Sequence, residues 1–187
     1  DVINTLKETC SLNLNLVLGI NILRNPNLAF QLAADYGAKF VQFDDFYDLD
    51  LMQKNREIAV FGGVGFKYIK STENSLEHDL RIATSRCEAI VTTGPGTGIE
   101  TPIEKLKQYK SSLGHFPLIV GAGLNANNAY EQLKVADGAI VGSYLKMNNQ
   151  TVYPLDFLRV REIVEIGNRV NSEFFKESNE ESGSSFS

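Results

Sequence analysis

The stretch LIVGAGLNANNAYEQLKVADGAIVGS, residues 118–143, gives the clearest indication of the fold class. It contains two short apolar runs, Leu118–Gly121 and Gly138–Val141, separated by a segment with helical spacing of apolar residues from about Asn125 to Val135. Runs this apolar are typical of parallel strands that are covered on both faces. The order strand, helix, strand predicts a βαβ unit.

The same alternation extends over the rest of the chain. Four further strands are predicted, at Leu16–Ile22, Lys39–Phe43, Ile58–Phe66 and Ala89–Thr92, with a helix from Asp1 to Cys10 before the first of them. The predicted class is therefore α/β with a parallel sheet. Two architectures fit this pattern, an open doubly wound sheet and a (β/α)₈ TIM barrel.

Capping residues mark the ends of the predicted helices. Three helix starts are predicted, at Asn25-Pro26, at Asn74 with Glu77, and at Thr101-Pro102 with Glu104, where Thr101 is the expected N-cap. Gly114 is predicted to end the helix that follows Thr101. The last helix carries its apolar residues from Val160 to Phe174, and the segment after it is polar, rich in serine and predicted to be disordered.

The positions of the glycines favour the barrel. The dinucleotide-binding pattern G-x-G-x-x-G is absent after the first strand, where the chain reads GINILRNPN. Glycines follow the last two strands instead, and these are the loops in which a barrel holds phosphate. We therefore predict a TIM barrel over residues 1–172 and a polar tail over residues 173–187.

The length is short for such a barrel. About 250 residues are typical, whereas this chain has 187 residues and six predicted strands. We expect the first two βα units to lie upstream of Asp1, so that the chain supplies the six C-terminal units. The connection between Phe43 and Ile58 is also close to the minimum length for a crossover between parallel strands.

Composition excludes several classes of function. The formal net charge is −5, and no block of like charges predicts a nucleic-acid partner. No apolar run is long enough for a transmembrane segment, and the first ten residues do not resemble a signal peptide. With only Cys10 and Cys87, no disulfide scaffold is expected and a cytoplasmic location is predicted. His78 and His115 lack partners at metal-ligand spacing, so no metal site of the zinc type is expected.

Several motifs in this order resemble the BtpA/SgcQ family of TIM-barrel proteins, over about Leu16 to Val170. The most specific matches are GINILRN at residues 19–25, TGPGTG at residues 93–98, VGAG at residues 120–123 and ADGAIVGS at residues 136–143. The resemblance implies a (β/α)₈ barrel but no settled reaction, because the family is named after a cyanobacterial factor for photosystem I biogenesis. Family members carry histidines around a strand lysine, whereas Gly65 and Tyr68 stand around Lys67 here.

A phosphate site is predicted after the last two strands. Gly121, Gly123, Gly142 and Ser143 would hold an anion through backbone N–H groups, since glycine lets a ligand approach the chain closely. The alternative is that these glycines only form tight turns at the ends of the strands.

The loop from Thr92 to Gly98 is unusually rich in glycine and hydroxyl groups. Thr93, Gly94 and Thr97 are predicted to contact the sugar or phosphate of a substrate, and an inert turn is the alternative. Because this loop lacks the Lys-Ser/Thr pair of a P-loop, ATP hydrolysis of that type is not expected.

Three candidate catalytic residues follow predicted strands. Lys67 could form a Schiff base, act as an acid or base, pair with phosphate, or be a solvated side chain. Asp44 and Asp45 end a strand, and alternation predicts that only one points into the site, as a general base or as a ligand of Mg²⁺. Asn21 and Arg24 are predicted to orient the substrate.

Two hypotheses for function follow. The first is an enzyme-like barrel that binds a small phosphorylated metabolite and carries out isomerase, epimerase or lyase chemistry, with no cofactor beyond Mg²⁺. The second is a noncatalytic assembly or regulatory factor that acts through protein contacts. A homo-oligomer is the protein partner to test for first.

Overall fold

The computed structural model describes residues 2–11, 17–46 and 57–183, with only the backbone described at residue 2 and beyond residue 176. The chain divides into two compact units, the first ending at Val91 and the second beginning at Thr92. Strands and helices alternate in both units, which confirms the predicted α/β class.

The first unit alternates helices with parallel strands. Its elements are α1 (Val2–Ser11), β1 (Gly19–Ile20), α2 (Pro26–Tyr36), β2 (Phe40–Phe43), β3 (Ala59–Gly63), α3 (Leu76–Thr84) and β4 (Ala89–Thr92), the last of which ends at the unit boundary. Neighbouring strands follow the chain order, and all three pairs are parallel, with Gly19 opposite Phe40, Phe40 opposite Ala59 and Phe61 opposite Ala89.

Apolar side chains fill the space between the strands and helices of this unit. Val41, Val60 and Ile90 are at most 2% exposed, as are Ala29 and Ala33 of α2. Full burial of a valine or isoleucine stabilises a fold by about 1.5–3 kcal/mol. The apolar run of β4 therefore corresponds to a strand that is covered on both faces, whereas Phe40 of β2 and Phe61 of β3 remain partly exposed.

A glycine in β1 makes room for an aromatic side chain of β2. A Cβ atom on Gly19 would collide with the ring of Phe40. That ring stacks on Phe61 of β3, with the ring centroids 4.5 Å apart and the ring planes 16° apart. The register between the first three strands is therefore tied to one glycine and two phenylalanines.

Local capping signals set the ends of α2 and α3. Asn25 is the N-cap of α2, as predicted, and its side chain accepts a hydrogen bond from the Leu28 N–H; Gly37 ends the helix at φ 69°. The predicted N-cap of α3 was wrong by one residue, because the Ser75 hydroxyl accepts the bond from the His78 N–H. Asn74 instead donates to the buried carboxylate of Asp79 at 3.3 Å.

The second unit continues the alternation. Its elements are α4 (Ile103–Leu113), β5 (Leu118–Val120), α5 (Ala129–Leu133), β6 (Gly138–Ala139), short 3₁₀ helices at Ser143–Leu145 and Met147–Asn149, and α6 (Phe157–Gly183). β5 and β6 pair in parallel, with Ile119 opposite Gly138. Asp137 joins their beginnings, since its carboxylate accepts hydrogen bonds from the Leu118 N–H at 2.8 Å and from Lys110 at 2.7 Å.

The start of α4 differs from the prediction. Pro102 occupies the cap position, and no side chain caps the helix. Thr101 is fully buried, and its hydroxyl donates to the Ala122 carbonyl at 3.1 Å. The threonine was predicted as the N-cap because local sequence does not reveal this partner 21 residues away. Gly114 ends α4 at φ 58°, as predicted.

The end of the chain also differs from the prediction. α6 continues to Gly183, into the segment for which composition predicts a disordered tail, and residues 184–187 lie outside the described part of the chain. Glutamate and lysine have good helix propensity, which supports this extension. Across the described residues, none of the helices is both long and apolar enough to cross a membrane.

Candidate functional site

Polar residues at the carboxyl ends of β1 and β2 line a cavity of about 240 Å³ in the first unit. The polar lining residues are Asn21, Arg24, Gln42, Asp44 and Asp45, and the apolar ones are Ile22, Leu23, Pro26, Phe30, Phe43, Tyr68 and Ile69. Four of these polar residues were predicted as site residues from their positions after strands. The structure brings those four around one cavity.

A chain of side-chain hydrogen bonds crosses the polar edge of this cavity. The Nδ2 atom of Asn21 donates to Oε1 of Gln42. The Nε2 atom of Gln42 donates to the Phe43 carbonyl at 2.7 Å and to Oδ1 of Asp44 at 3.4 Å. Gln42 is buried, so the orientation of its amide fixes the side chains on either side of it.

Backbone features place the side chains around the cavity. A Cβ atom on Gly63 would collide with the backbone of Asp44, so the glycine at the end of β3 lets the chain after β2 pass close by. Arg24 has φ 58°, a left-handed conformation that is uncommon for residues other than glycine. The Asn25 N–H closes this turn on the Ile22 carbonyl at 3.2 Å.

Both aspartates line the cavity, whereas strand alternation predicted only one of them. The reason is that β2 ends at Phe43, so Asp44 and Asp45 no longer follow the alternation of a strand. Each is partly exposed. Either carboxylate can therefore accept a proton from a group bound in the cavity.

Lys67 is not among the residues that line the cavity. The sequence predicts a strand as far as Phe66, but β3 ends at Gly63, and a turn with Gly65 at φ 58° and Tyr68 at φ 64° follows it. The ammonium group of Lys67 lies 5.6 Å from the centroid of the Phe66 ring. A catalytic role for Lys67 stays a prediction.

Two of the predicted phosphate-binding glycines in the second unit contact the chain itself. The Gly121 N–H donates to the Thr92 carbonyl at 2.8 Å. Gly123 has φ 74°, and a Cβ atom there would collide with the Ile99 carbonyl and with Cα of Glu100. The absence of a side chain at Gly123 therefore accommodates the backbone of the 93–100 loop.

The predicted substrate-binding residues of that loop separate into two groups. Thr93 is buried and its hydroxyl donates to the Gly94 carbonyl at 2.9 Å, while a Cβ atom on Gly94 would collide with the Glu100 carbonyl. These two residues hold the loop together. Thr97, in contrast, is exposed.

Open space remains beside Gly142 and Ser143. A Cβ atom on Gly142 would meet no atom within 4 Å apart from those of its two chain neighbours, and one on Gly98 would lie 3.5 Å from Oγ of Ser143. Gly98 has φ 71°. The Ser143 hydroxyl is partly exposed and forms no hydrogen bond with the described residues, so it can donate to or accept from a ligand.

Lys105 also belongs to this region, although the sequence did not single it out. Its ammonium group donates to the Thr93 carbonyl at 2.7 Å and lies 5.5 Å from the centroid of the Tyr109 ring. Partial burial lowers the pKa of Lys105 below its ordinary value. One signal was present in the sequence, since a cation in the first turn of a helix opposes the helix dipole.

In the part of the chain that the structure describes, Cys87 and the metal-binding residue types do not form a site. Burial raises the pKa of Cys87 to about 12, and its Sγ atom occupies the space next to Gly62. Such a thiol is almost entirely protonated at neutral pH and is unreactive. Within the described residues, no three His, Cys, Asp or Glu side chains are grouped so as to hold a metal ion.

Comparisons with known proteins identify relatives in archaea and cyanobacteria. The BtpA family model matches residues 51–169. An uncharacterized protein of Archaeoglobus fulgidus is 32% identical over 79% of this chain and 65% of its own length, and one of Methanocaldococcus jannaschii is 32% identical over 83% of this chain and 67% of its own. The chain thus spans about two thirds of these relatives. The photosystem I biogenesis protein BtpA of Synechocystis is 24% identical over 79% of this chain and 59% of its own length.

Solved structures of similar fold have low sequence identity to this chain. The structure of N-(5′-phosphoribosyl)anthranilate isomerase from Pyrococcus furiosus matches this chain over 88% of this chain and 80% of the isomerase chain, with a TM-score of 0.59 and 18% identity. A native KDPGal structure matches over 91% of this chain and 75% of the KDPGal chain, with a TM-score of 0.62 and 11% identity. At these identities the likeness concerns the fold alone.

Proposed function

The chain belongs to the BtpA family, and from that premise we propose that it binds a small phosphorylated metabolite through the loops that follow β5 and β6. Two observations at neighbouring residues carry the proposal. The space at Gly142 holds no atom beyond those of its chain neighbours, and the hydroxyl of the next residue, Ser143, forms no hydrogen bond with the described residues. A hydroxyl group and a glycine backbone are groups that proteins commonly use to hold phosphate.

We further propose that both units form part of a (β/α)₈ barrel. Parallel strands in chain order and the likeness to N-(5′-phosphoribosyl)anthranilate isomerase support this architecture. Barrels commonly bind phosphate in the loops after their last two strands. The name of that isomerase carries a phosphoribosyl group, which makes ribose 5-phosphate a suitable first probe for this chain.

Two substitutions of Gly142, which add side chains of the same shape but different charge, test phosphate binding. Gly142→Asn and Gly142→Asp add side chains of nearly equal size where a Cβ atom meets no neighbour, and only the second adds a negative charge. Ligand at a hundred times its Kd stabilises a fold by about 2.7 kcal/mol, which raises the Tm by about 5–10 °C for a chain of this size. We expect ribose 5-phosphate to stabilise the wild type and the asparagine variant but not the aspartate variant.

The proposal fails if ribose 5-phosphate and inorganic phosphate leave the Tm of the wild type unchanged at millimolar concentration. It fails equally if the aspartate variant is stabilised as much as the asparagine variant, because an added carboxylate must weaken a phosphate site at that position.

Acid–base chemistry is proposed for the cavity of the first unit. Asp44 or Asp45 would remove a proton from a carbon atom of the substrate, as isomerase, epimerase and some lyase reactions require. If either carboxylate binds Mg²⁺, water and substrate oxygens supply most of the other ligands. Lys67 is retained as a candidate acid, base or phosphate partner, although it lies outside the cavity lining.

Deuterium exchange tests this chemistry even while the substrate is unidentified. The chain is incubated in D₂O with a mixture of phosphorylated metabolites, and mass spectrometry detects any metabolite that gains one deuterium on carbon. We expect such a gain with the wild type and a large loss with Asp44→Asn or Asp45→Asn. A gain of equal size in the double variant would exclude both aspartates as the base.

The second candidate is an assembly factor that acts through protein contacts. It is favoured by the likeness to the photosystem I biogenesis protein BtpA and by the exposed apolar side chains of Phe157, Leu158 and Phe175 on α6, which are 73–81% exposed. Light scattering of the wild type and of Phe175→Ser tests whether copies of the chain associate through this helix. Association without any ligand-induced stabilisation would favour this candidate over the first.

A further inference from the structure

The cavity of the first unit combines buried aromatic residues with exposed apolar ones. Phe30 and Phe43 are 3% and 9% exposed, and their ring centroids are 5.5 Å apart. Leu23, Tyr68 and Ile69 line the same cavity and are 67%, 77% and 40% exposed. Large apolar side chains that converge on a cavity while remaining exposed indicate a surface that binds the apolar face of a ligand.

The polar edge of this cavity presents a defined set of hydrogen-bonding atoms. Both donors of Gln42 go to acceptors of the chain, namely the Phe43 carbonyl and Oδ1 of Asp44. Its Oε1 atom must therefore be the acceptor for Asn21. Oδ1 of Asn21 and Oδ2 of Asp44 form no hydrogen bond with the described residues, and Asn21 keeps one further N–H.

These two features together restrict the class of ligand. A free sugar would place its hydroxyl groups against the apolar lining, where they would lose hydrogen bonds to water. A purely aliphatic ligand would offer no hydrogen bond to Oδ1 of Asn21 or to Oδ2 of Asp44. A flat ring with N–H donors and a nitrogen acceptor on its edge fits both the apolar lining and the polar edge of the cavity. An asparagine side chain pairs with such an edge, and a carboxylate accepts a hydrogen bond from an amino group of the ring.

We propose that the cavity lined by Asn21, Gln42 and Asp44 binds a planar nitrogen heterocycle of the nucleobase class. The ring lies against the apolar lining, and its N–H groups donate to Asp44 and Asn21. A cavity of about 240 Å³ accepts a ring of this size rather than a whole dinucleotide. The inference rests on the proposed function in treating this cavity as a substrate site.

Nucleosides without phosphate separate this inference from phosphate binding. Saturation-transfer difference NMR on the full chain measures adenosine, guanosine, cytidine and uridine, alongside ribose 5-phosphate. We expect at least one nucleoside to bind, with the strongest saturation on its ring protons. Asp44→Asn keeps the shape of the carboxylate but replaces an acceptor oxygen by an N–H donor, and we expect it to weaken nucleoside binding at least tenfold.

A matched pair of apolar substitutions provides the control. Ile69 lines the cavity and is 40% exposed, whereas Ile3 on α1 is 43% exposed and does not line it. Ile69→Ser should weaken nucleoside binding severalfold, while Ile3→Ser should leave it unchanged.

Two results would overturn the inference: none of the four nucleosides binds at millimolar concentration, or binding is the same in Asp44→Asn and Ile69→Ser as in Ile3→Ser. If ribose 5-phosphate binds in either case, phosphate binding stands and only the heterocycle is rejected. If nucleosides bind as described but ribose 5-phosphate does not, the heterocycle site stands and the proposed phosphate site is rejected.

Discussion

Gly123 and Gly98 allow the cost of backbone conformation to be separated from the cost of a steric collision. The two residues lie in the same unit and have nearly the same φ, 74° and 71°. A Cβ atom on Gly98 would meet Ser143 at an ordinary distance of 3.5 Å, whereas one on Gly123 would lie closer than 3.0 Å to the backbone of Ile99 and Glu100. The paired variants are Gly98→Ala and Gly123→Ala.

The expected magnitudes follow from this difference. An alanine held at positive φ costs about 1–2 kcal/mol, and both variants carry that cost. Moving packed backbone apart to admit a methyl group adds about 1–3 kcal/mol at Gly123 alone. We therefore expect the free energy of unfolding to fall by about 1–2 kcal/mol in Gly98→Ala and about 2–5 kcal/mol in Gly123→Ala.

Urea unfolding followed by circular dichroism measures both values. With a slope of about 2 kcal/mol per molar urea, the midpoint of Gly123→Ala should lie about 0.5–1.5 M below that of Gly98→Ala. Equal midpoints within about 0.2 M would refute the close packing of residue 123 against the 93–100 loop. That result would also restore Gly123 as a residue available to a ligand.

The remaining predictions concern thiol reactivity and a partly buried lysine. Because burial raises the pKa of Cys87 to about 12, an aromatic disulfide reagent at pH 8 should modify only the exposed Cys10 until urea unfolds the chain; rapid reaction of two thiols in the native state would contradict this. Lys105→Met loses the hydrogen bond to Thr93 and should lower the free energy of unfolding by about 1–2 kcal/mol, as measured by urea unfolding. The control Lys107→Met, at an exposed position, should lower it by less than about 0.5 kcal/mol. Equal losses in the two variants would contradict the contact between Lys105 and Thr93. Because the pKa of Lys105 is lowered on folding, the unfolded chain binds more protons at this residue between that pKa and 10.5. The stability of the wild type relative to Lys105→Met should therefore rise with pH across this window.

The sequence predicts those parts of the fold that depend on neighbouring residues. The Asn25 cap, the strand Ala89–Thr92 and the end of α4 at Gly114 were each predicted from a few adjacent residues, and each is confirmed. The cap at Ser75 was missed because Asn74 is an equally good capping residue, and its contact with Asp79 decides between them. Thr101 was wrongly assigned as an N-cap because its hydrogen-bond partner, the Ala122 carbonyl, follows β5 and lies 21 residues away in the sequence.

The candidate site shows the same limit. Asn21 and Asp44 could be found because each follows an apolar strand, and parallel strands end at one edge of a sheet. Gln42 carried a weak signal, a polar residue within the apolar run FVQF, whose meaning depends on the side chains on both sides of it. Gly123 could not be interpreted from sequence, because glycine is equally suited to admit a ligand and to admit the chain's own backbone.

The arrangement of Gly19 beneath the ring of Phe40 has a consequence for how the two strands tolerate change. The ring of Phe40 in β2 fills the space that a side chain at position 19 of β1 would occupy. A larger residue at position 19 is therefore acceptable only with a smaller one at position 40, and the stacking partner Phe61 would lose its neighbour in that exchange. Substitutions at positions 19, 40 and 61 are therefore coupled. A double substitution at positions 19 and 40 can be tolerated where either single substitution destabilises the fold.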